Sequence, residues 1–415
     1  MNTISTDIII IGGGSAGIAA AVAVARKGLK VLIIERNTYL GGKATAAEVG
    51  TICGLYTFNK TEKSSFIVNG FTREFGMKIQ ALSKTEPISN RTGLHFLPYS
   101  IEKYKEFSLE LLNENGVDVL LNAELRDIKI DGDKISNLVV QQGEETILLA
   151  FNAVIDCSGE SSVSRLGNLP LIPQGFFQAA AQVFTVKGIN DISEDALSLV
   201  LIREMTKAIR ANKLENNFDR LYLVPGSLKN GRVSLKLGLP LEMTILEEPS
   251  MKLKSDVKSM IEKLMHYLIE NCELFSSASL EHVADEIGTR VGFRPQGKYI
   301  LNETDVLSCK KFDSAIANCS WPIEKWGQNR AVEMHYFKEN DFYQIPSECL
   351  ISKSITNLFF GGRNISADDN AIASARVMGI CMQTGYAAGL LAAGLTLGFP
   401  ENSTIREIQK EQIFL

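Results

Sequence analysis

Residues 7–11 form a short apolar run after Asp7, residues 15–27 are rich in alanine and other small apolar side chains, and residues 30–34 return to an apolar run. Short runs without alternation belong to strands buried on both faces, and a helix between two of them is the crossover that parallel pairing requires. The pattern predicts a strand, a helix closed by Gly28 and a second parallel strand, so the chain opens as a Rossmann-type βαβ unit. Helical spacing follows over residues 71–82. Ser100 is placed to cap a further helix running to Glu114, and Gly116 turns the chain into a third parallel strand at residues 117–121.

From residue 126 to 150 apolar positions alternate instead, broken at Asp131-Gly132-Asp133 and near Gly143, which predicts a small antiparallel meander. Residues 153–156 are another short strand, ending at Cys157-Ser158-Gly159. After Arg165 the glycine-rich turns stop, and strand-like stretches (178–186, 232–237) mix with a helical one (255–271) as far as Tyr343. A strand at 357–360, the turn Gly361-Gly362-Arg363-Asn364 and a single long helix over 371–393 close the chain. The expected fold is α/β: a Rossmann-like domain, parallel sheet plus meander, split over residues 1–165 and 344–415, around an inserted α+β substrate or cap domain at 166–343.

Composition narrows this little. With 415 residues, 45% hydrophobic and 22% charged, the chain has core enough for two or three domains and is neither disordered nor a disulfide scaffold. Forty-three Lys plus Arg against 48 Asp plus Glu leave a formal charge of −5, too mild to imply a nucleic-acid or membrane partner. The apolar stretch 8–25 lacks a basic leader and is interrupted by Gly12, Gly13, Gly14 and Gly17, against a signal or membrane segment. Seven cysteines without a CxxC pair argue for reduced thiols, a cytoplasmic setting and no metal site.

The candidate chemistry starts at Gly12-Gly13-Gly14-Ser15-Ala16-Gly17, a GxGxxG match in the right context, between strand and helix. Gly12 permits the tight turn, Gly14 lets a diphosphate approach the backbone, and Gly17 lets the helix pack on the sheet. Ser15 and Ala16 open the helix whose N–H groups face that diphosphate, and Glu35, ending the second strand, can bind ribose hydroxyls and disfavours a 2′-phosphate. Fingerprint alone does not separate NAD from FAD. Beyond Glu35 come Arg36 and a second glycine turn, Gly41-Gly42-Lys43-Ala44-Thr45, which an NAD domain does not need. With Ser158, Gly159 and the late turn, the ligand-facing turns are dispersed as the length of FAD demands.

On these motifs the chain resembles the FAD-dependent oxidoreductase family related to the fumarate reductase and glutathione reductase flavoprotein domains. The resemblance is carried by GGGSAGIAAA with Glu35, GGKAT followed by Cys53-Gly54-Leu55, EIGTRVGFRPQGKYILNETDV, and the block from Ile345 to Gly389 containing FFGGRNISADDN. It implies that Gly362, Arg363, Asn364 and residues 378–381, Gly379 and Ile380 among them, lie against the pyrophosphate, ribityl chain and isoalloxazine, with Ala123 also counted among the cofactor contacts. The chain departs from the family in reading Cys157-Ser158-Gly159-Glu160 where a Thr-Gly-Asp sequence is common, and Gly292-Phe293-Arg294-Pro295 after Arg290.

A flavin carries the hydride step, so few catalytic side chains are required. Arg290 and Arg294 are candidate clamps for a carboxylate or carbonyl oxygen, against a structural role for either. His335, beside Tyr336, is a candidate proton donor or acceptor, against a merely packed histidine. Cys53 has no partner for a redox dithiol and reads as a buried structural thiol. No second GxGxxG appears, so NAD(P)H is expected only as a transient electron donor or acceptor. The leading expectation is an FAD-dependent oxidoreductase holding a small organic substrate between its domains. The alternatives are a flavin-binding protein without turnover and an NAD-dependent enzyme using the first βαβ unit alone.

Overall fold

The computed structural model describes residues 2–60, 63–240, 251–327 and 332–413. Its centre is a five-stranded parallel sheet in the order Leu358–Phe360, Ala153–Asp156, Ile8–Ile11, Val31–Ile34, Asp118–Leu120, so the C-terminal strand completes a sheet begun at the N-terminus. Continuous apolar runs form these strands because both faces are covered. Ile8, Ile10, Val31 and Ile33 pack on the helical side, whereas Ile9, Ile11, Leu32 and Ile34 pack against the meander. The meander comprises Ala123–Asp131, Lys134–Gln142 and Glu145–Ala150. Its outer edge pairs in parallel with Asn2–Ser5, a strand the apolar pattern does not announce.

The helical side is led by Ser15–Arg26 against Met378–Leu397. Their backbones approach closely because Gly385 and Gly389 face Ala16 and Ala20, where an added Cβ would overlap the facing carbonyls. The long helix expected over 371–393 is instead two, Asp369–Ala375 and Met378–Leu397, separated by Arg376 and an extended Val377. No proline marks this break. It turns the Arg376 guanidinium toward Gln178 and Glu324 rather than along a helix surface. Met378–Leu397 has the length and composition to cross a membrane, but 83% of its apolar window is buried within this fold.

The inserted portion has its own core. Four antiparallel strands, Leu221–Leu223, Arg232–Gly238, Ala181–Lys187 and Ser279–Val283, are covered on one face by Glu194–Arg210 and Met251–Asn271. Residues beyond about 299 rejoin the first core: Leu301, Ile316, Trp321 and Tyr343 belong to it, and Tyr343–Pro346 pairs with Ala315–Cys319. The boundary expected at 343 thus falls within a strand pair of the first core, because the loss of glycine turns that suggested it reports on ligand loops rather than on core membership.

Candidate functional site

Two glycine turns clip together at the sheet's carboxyl edge. Gly12 takes φ +101°, its N–H donates to Ile34 O (2.8 Å), and Gly41 N–H donates to Gly13 O (2.8 Å). A Cβ on Gly17 would overlap the Gly12 carbonyl, which is how the helix comes to lie so close to the strand. At Gly14 a Cβ would meet only Gly42 Cα, at 3.7 Å, so the space above that residue is open. No side chain caps the helix that starts at Ser15, leaving its N–H groups and positive dipole end facing that space. Glu35, 5% exposed, accepts from Gly13 N–H (2.7 Å) and Asn37 N–H (2.9 Å), and burial holds its carboxyl above the usual range.

The turn after the next strand is organised by Asp156. Fully buried, it accepts from Ser158 N–H (3.0 Å), Ser158 Oγ–H (2.6 Å), Val163 N–H (2.9 Å) and Asn364 Nδ2–H (2.6 Å). Arg363 lies over Gly159 and donates to Thr289 O (2.8 Å) and Glu160 Oε1 (3.4 Å). N- and C-terminal segments are thereby fixed to one another at the cleft wall.

Glu286, in the segment leaving the inserted sheet, reaches back to the first domain. It accepts from Lys43 Nζ (2.7 Å), Arg36 Nη2 (3.1 Å) and Asn37 Nδ2 (3.0 Å). Burial pushes its carboxyl up, but the Lys43 and Arg36 cations more than reverse this, bringing it down to about 2. Burial holds Lys43 below the ordinary ammonium range, with Arg363 and Arg36 adding to the effect, so the pair stabilises less than the Glu286 shift alone implies. Glu286→Gln should lower the unfolding free energy by about 2 kcal/mol near neutral pH. Because the folded carboxyl titrates below its unfolded value, this stabilisation is present above pH ~4.5 and is lost as pH falls toward ~2. Urea unfolding of both proteins across that window should show the difference closing; a constant difference would mean the carboxylate charge is not what stabilises.

Between the glycine turns and the inserted sheet lies a cleft of about 1500 Å³, including solvent at its mouth. Its inner end is lined by Lys236, Arg290, Glu324, Trp326, Arg376 and Cys53. Arg376 Nη2–H donates to Glu324 Oε2 (3.5 Å) and Gln178 Oε1 (3.3 Å), and Trp321 Nε1–H donates to Glu324 (3.3 Å). The Arg290 guanidinium lies 4.0 Å from the Trp326 ring centroid and donates through Nη1 to Ala179 O. Burial pushes the Cys53 thiol up to about 12, so it is protonated and no nucleophile at neutral pH.

The family described as FAD dependent oxidoreductase matches residues 7–413. The chain belongs to this family. Among curated relatives, thiamine thiazole synthase of Methanococcus vannielii is 25% identical over 170 residues, 39% of this chain and 59% of that protein. Digeranylgeranylglycerophospholipid reductase of Picrophilus torridus is 26% identical over 171 residues, 40% and 42% respectively. The chain spans about half the length of the curated relatives it matches. Over nearly the whole chain the fold is that of a geranylgeranyl bacteriochlorophyll reductase-like protein from Thermoplasma acidophilum (TM-score 0.50, 12% identity, 99% of this chain and 83% of that one). The anhydrotetracycline hydroxylase OxyS of Streptomyces rimosus shares it too (TM-score 0.50, 11% identity, 98% and 66%).

The cleft of this FAD-dependent oxidoreductase suits its cofactor: the open space over Gly14, the uncapped helix start and the Glu35 carboxylate together form a cradle that side chains at Gly14 or Gly42 would fill. Of the expected cofactor contacts, Gly12, Gly14, Ser15, Ala16, Glu35, Arg36, Gly42, Lys43, Ser158, Gly159, Gly362 and Arg363 line the cleft. The others lie behind it. Gly17 packs on Gly12, Thr45 Oγ1–H donates to Leu40 O (2.7 Å), Ala123 N–H donates to Glu35 O (3.0 Å), and Asn364 binds Asp156. Gly379 packs against Gly54 and Ile380 is fully buried, while their neighbours Met378 and Cys381 face the cleft.

Of the three catalytic candidates, only Arg290 reaches the cleft. Arg294, 1% exposed, donates to Ala367 O (2.9 Å) and pairs with Asp369, a structural bond between segments. His335 sits on the strand pair Ile323–Lys325 with Glu333–His335, its ring bonded to Glu333 (2.8 Å), away from the cleft. Cys53, expected as a buried structural thiol, does line the inner end. Lys236, Glu286, Glu324 and Trp326 are cleft residues that sequence reading passed over.

Proposed function

We propose that the cleft holds FAD with its ADP half at the turn of residues 12–15, and that the enzyme transfers a hydride between flavin N5 and a small organic substrate enclosed by the two domains. Gly14, Ser15 and Ala16 offer backbone N–H groups to the diphosphate, and Glu35 suits the ribose hydroxyls. Gly42, Lys43, Ser158, Gly159, Gly362 and Arg363 line the continuation of that path. When bound, FAD supplies the hydride chemistry, leaving the protein to position the substrate and exclude water. The observation that carries the reading is the joint lining of one cleft: Ala181, Val183 and Lys236 of the inserted sheet face Gly42, Cys53, Met378 and Cys381 of the first domain. The inserted sheet is antiparallel and adds no second βαβ unit among the described residues, so a nicotinamide donor would act by transient binding.

Purified protein should show flavin absorption bands, or acquire them on titration of the apoprotein with FAD. Arg363→Ala should weaken FAD binding tenfold or more, roughly the loss of one charge-assisted contact, with far-UV circular dichroism unchanged. Absence of FAD uptake would sink the reading. Unchanged FAD affinity in the variant would favour a ligand confined to the first βαβ unit. Bound flavin that no donor or substrate in a broad panel reduces or reoxidises would point to a flavoprotein without turnover.

A further inference from the structure

The alternation Arg232-Val233-Ser234-Leu235-Lys236-Leu237 puts Val233, Leu235 and Leu237 into the helix-covered core and turns Lys236 to the opposite face. There it pairs across the sheet with Val183 on one side and Tyr222 on the other, at the wall of the cleft. Its ammonium lies 5.2 Å from the Trp326 ring centroid and 5.8 Å from that of Tyr222. It has no hydrogen-bond or ion-pair partner among the described residues. The Glu324 carboxylate, the one acid lining this end of the cleft among the described residues, is already engaged by Arg376 and Trp321. Arg290 is bonded through Nη1 alone, leaving Nη2 and Nε without partners among the described residues.

Three cations therefore share one carboxylate in a chamber walled by Trp321, Trp326 and Val183. Uncompensated charge out of water costs several kcal/mol, and these cations oppose one another as well. Such a chamber is built for a counter-charge brought by the ligand, and a neutral or cationic ligand would leave the cost in place. Resting on the reading of the cleft given above, we propose that the substrate carries a carboxylate, seated by the Lys236 ammonium and the unbonded edge of Arg290 beside the Trp326 ring. Planar guanidinium geometry matches a carboxylate, and the ammonium adds a point charge from the sheet side. The groups facing Lys236 are Arg290 and Arg376, which lower its pKa, and Glu324 and Cys53, which raise it; burial is the largest influence, and the result is about 8.

The test uses FAD-loaded protein, in which the diphosphate site is filled, with benzoate as probe and benzamide as its uncharged counterpart. Calorimetry and perturbation of the flavin absorption bands should both report saturable benzoate binding at least tenfold tighter than benzamide. Affinity should fall as pH rises through about 8, since benzoate stays anionic while Lys236 loses its proton. Lys236→Met should bind benzoate at least tenfold more weakly and lose that pH dependence, and Lys236→Arg should restore binding across the range. Equal affinity for benzamide, or full affinity and an unchanged pH profile in Lys236→Met, would overturn the assignment. A protein that retains and reduces flavin yet shows no preference for benzoate loses this inference alone. A protein that takes up no FAD loses the underlying reading.

Discussion

Protein carrying Gly14→Val is expected to fold and to purify without flavin, its FAD affinity reduced at least about a hundredfold. Gly14 has φ −75° and ψ −177°, a conformation open to any residue, and a Cβ there meets nothing nearer than Gly42 Cα at 3.7 Å. Valine is a poorer residue than glycine at a helix N-cap, a loss of order 1 kcal/mol. Its methyl groups, however, occupy the space in which the diphosphate must approach the helix N–H groups. Gly17→Ala makes the contrast, because its Cβ would overlap the Gly12 carbonyl and force the helix off the strand. That variant should lose fold and flavin together. Melting curves of the apo forms separate the two cases, since ligand binding itself raises apparent stability and must be removed from the comparison. Gly14→Val protein that retains FAD at unchanged affinity would show that the diphosphate does not lie on this turn.

Those two glycines also mark what a sequence can disclose. The run Ile8–Ile11, the turn behind it and Glu35 at the end of the next strand are local features. Each has a steric or electrostatic reason that holds within some thirty residues, and the structure places all of them together. The meander was legible for the same reason, as period-2 alternation with turn residues at the breaks. What was not legible depends on who meets whom across the fold. Lys236 at a polar position of an alternating strand looks like any solvent-facing lysine, until the first domain closes over that face. Glu286 begins a motif block and carries no signal of its own; its role comes from Arg36 and Lys43, some 250 residues earlier. The break at Arg376 has neither proline nor terminal glycine to announce it. His335 shows the complementary case: a histidine near aromatics suggests chemistry, whereas its ring bonds to Glu333 and does not line the cleft, although Glu324 of the same strand pair does.

Arg290 and Arg294 are four residues apart and equally plausible as carboxylate clamps on residue type alone, yet their substitution should separate cleanly. Arg294 is 1% exposed, bonded through Nε to Ala367 O at 2.9 Å and paired with Asp369, so it has no free edge toward the cleft. Arg294→Met fills the same volume and removes the charge. It leaves Asp369 with the N–H groups of Gly175 (2.7 Å) and Phe176 (2.9 Å) as partners. Breaking a buried pair costs about 3–5 kcal/mol, and those two donors keep the expected loss near the lower end, about 3 kcal/mol. Arg294→Lys should recover only part of it, because a single ammonium cannot reproduce the fork that serves Ala367 and Asp369 together. The loss should appear as a lower urea midpoint, with FAD affinity and flavin reduction per folded molecule unchanged. Arg290→Met should do the reverse: it removes an uncompensated cation whose pKa burial and the neighbouring Arg376 already lower, so stability holds or rises while binding of a carboxylate probe falls. If Arg294→Met instead left the midpoint untouched and abolished flavin turnover, the ion pair with Asp369 would not be its function, and the division between a structural and a substrate-facing arginine would have to be redrawn.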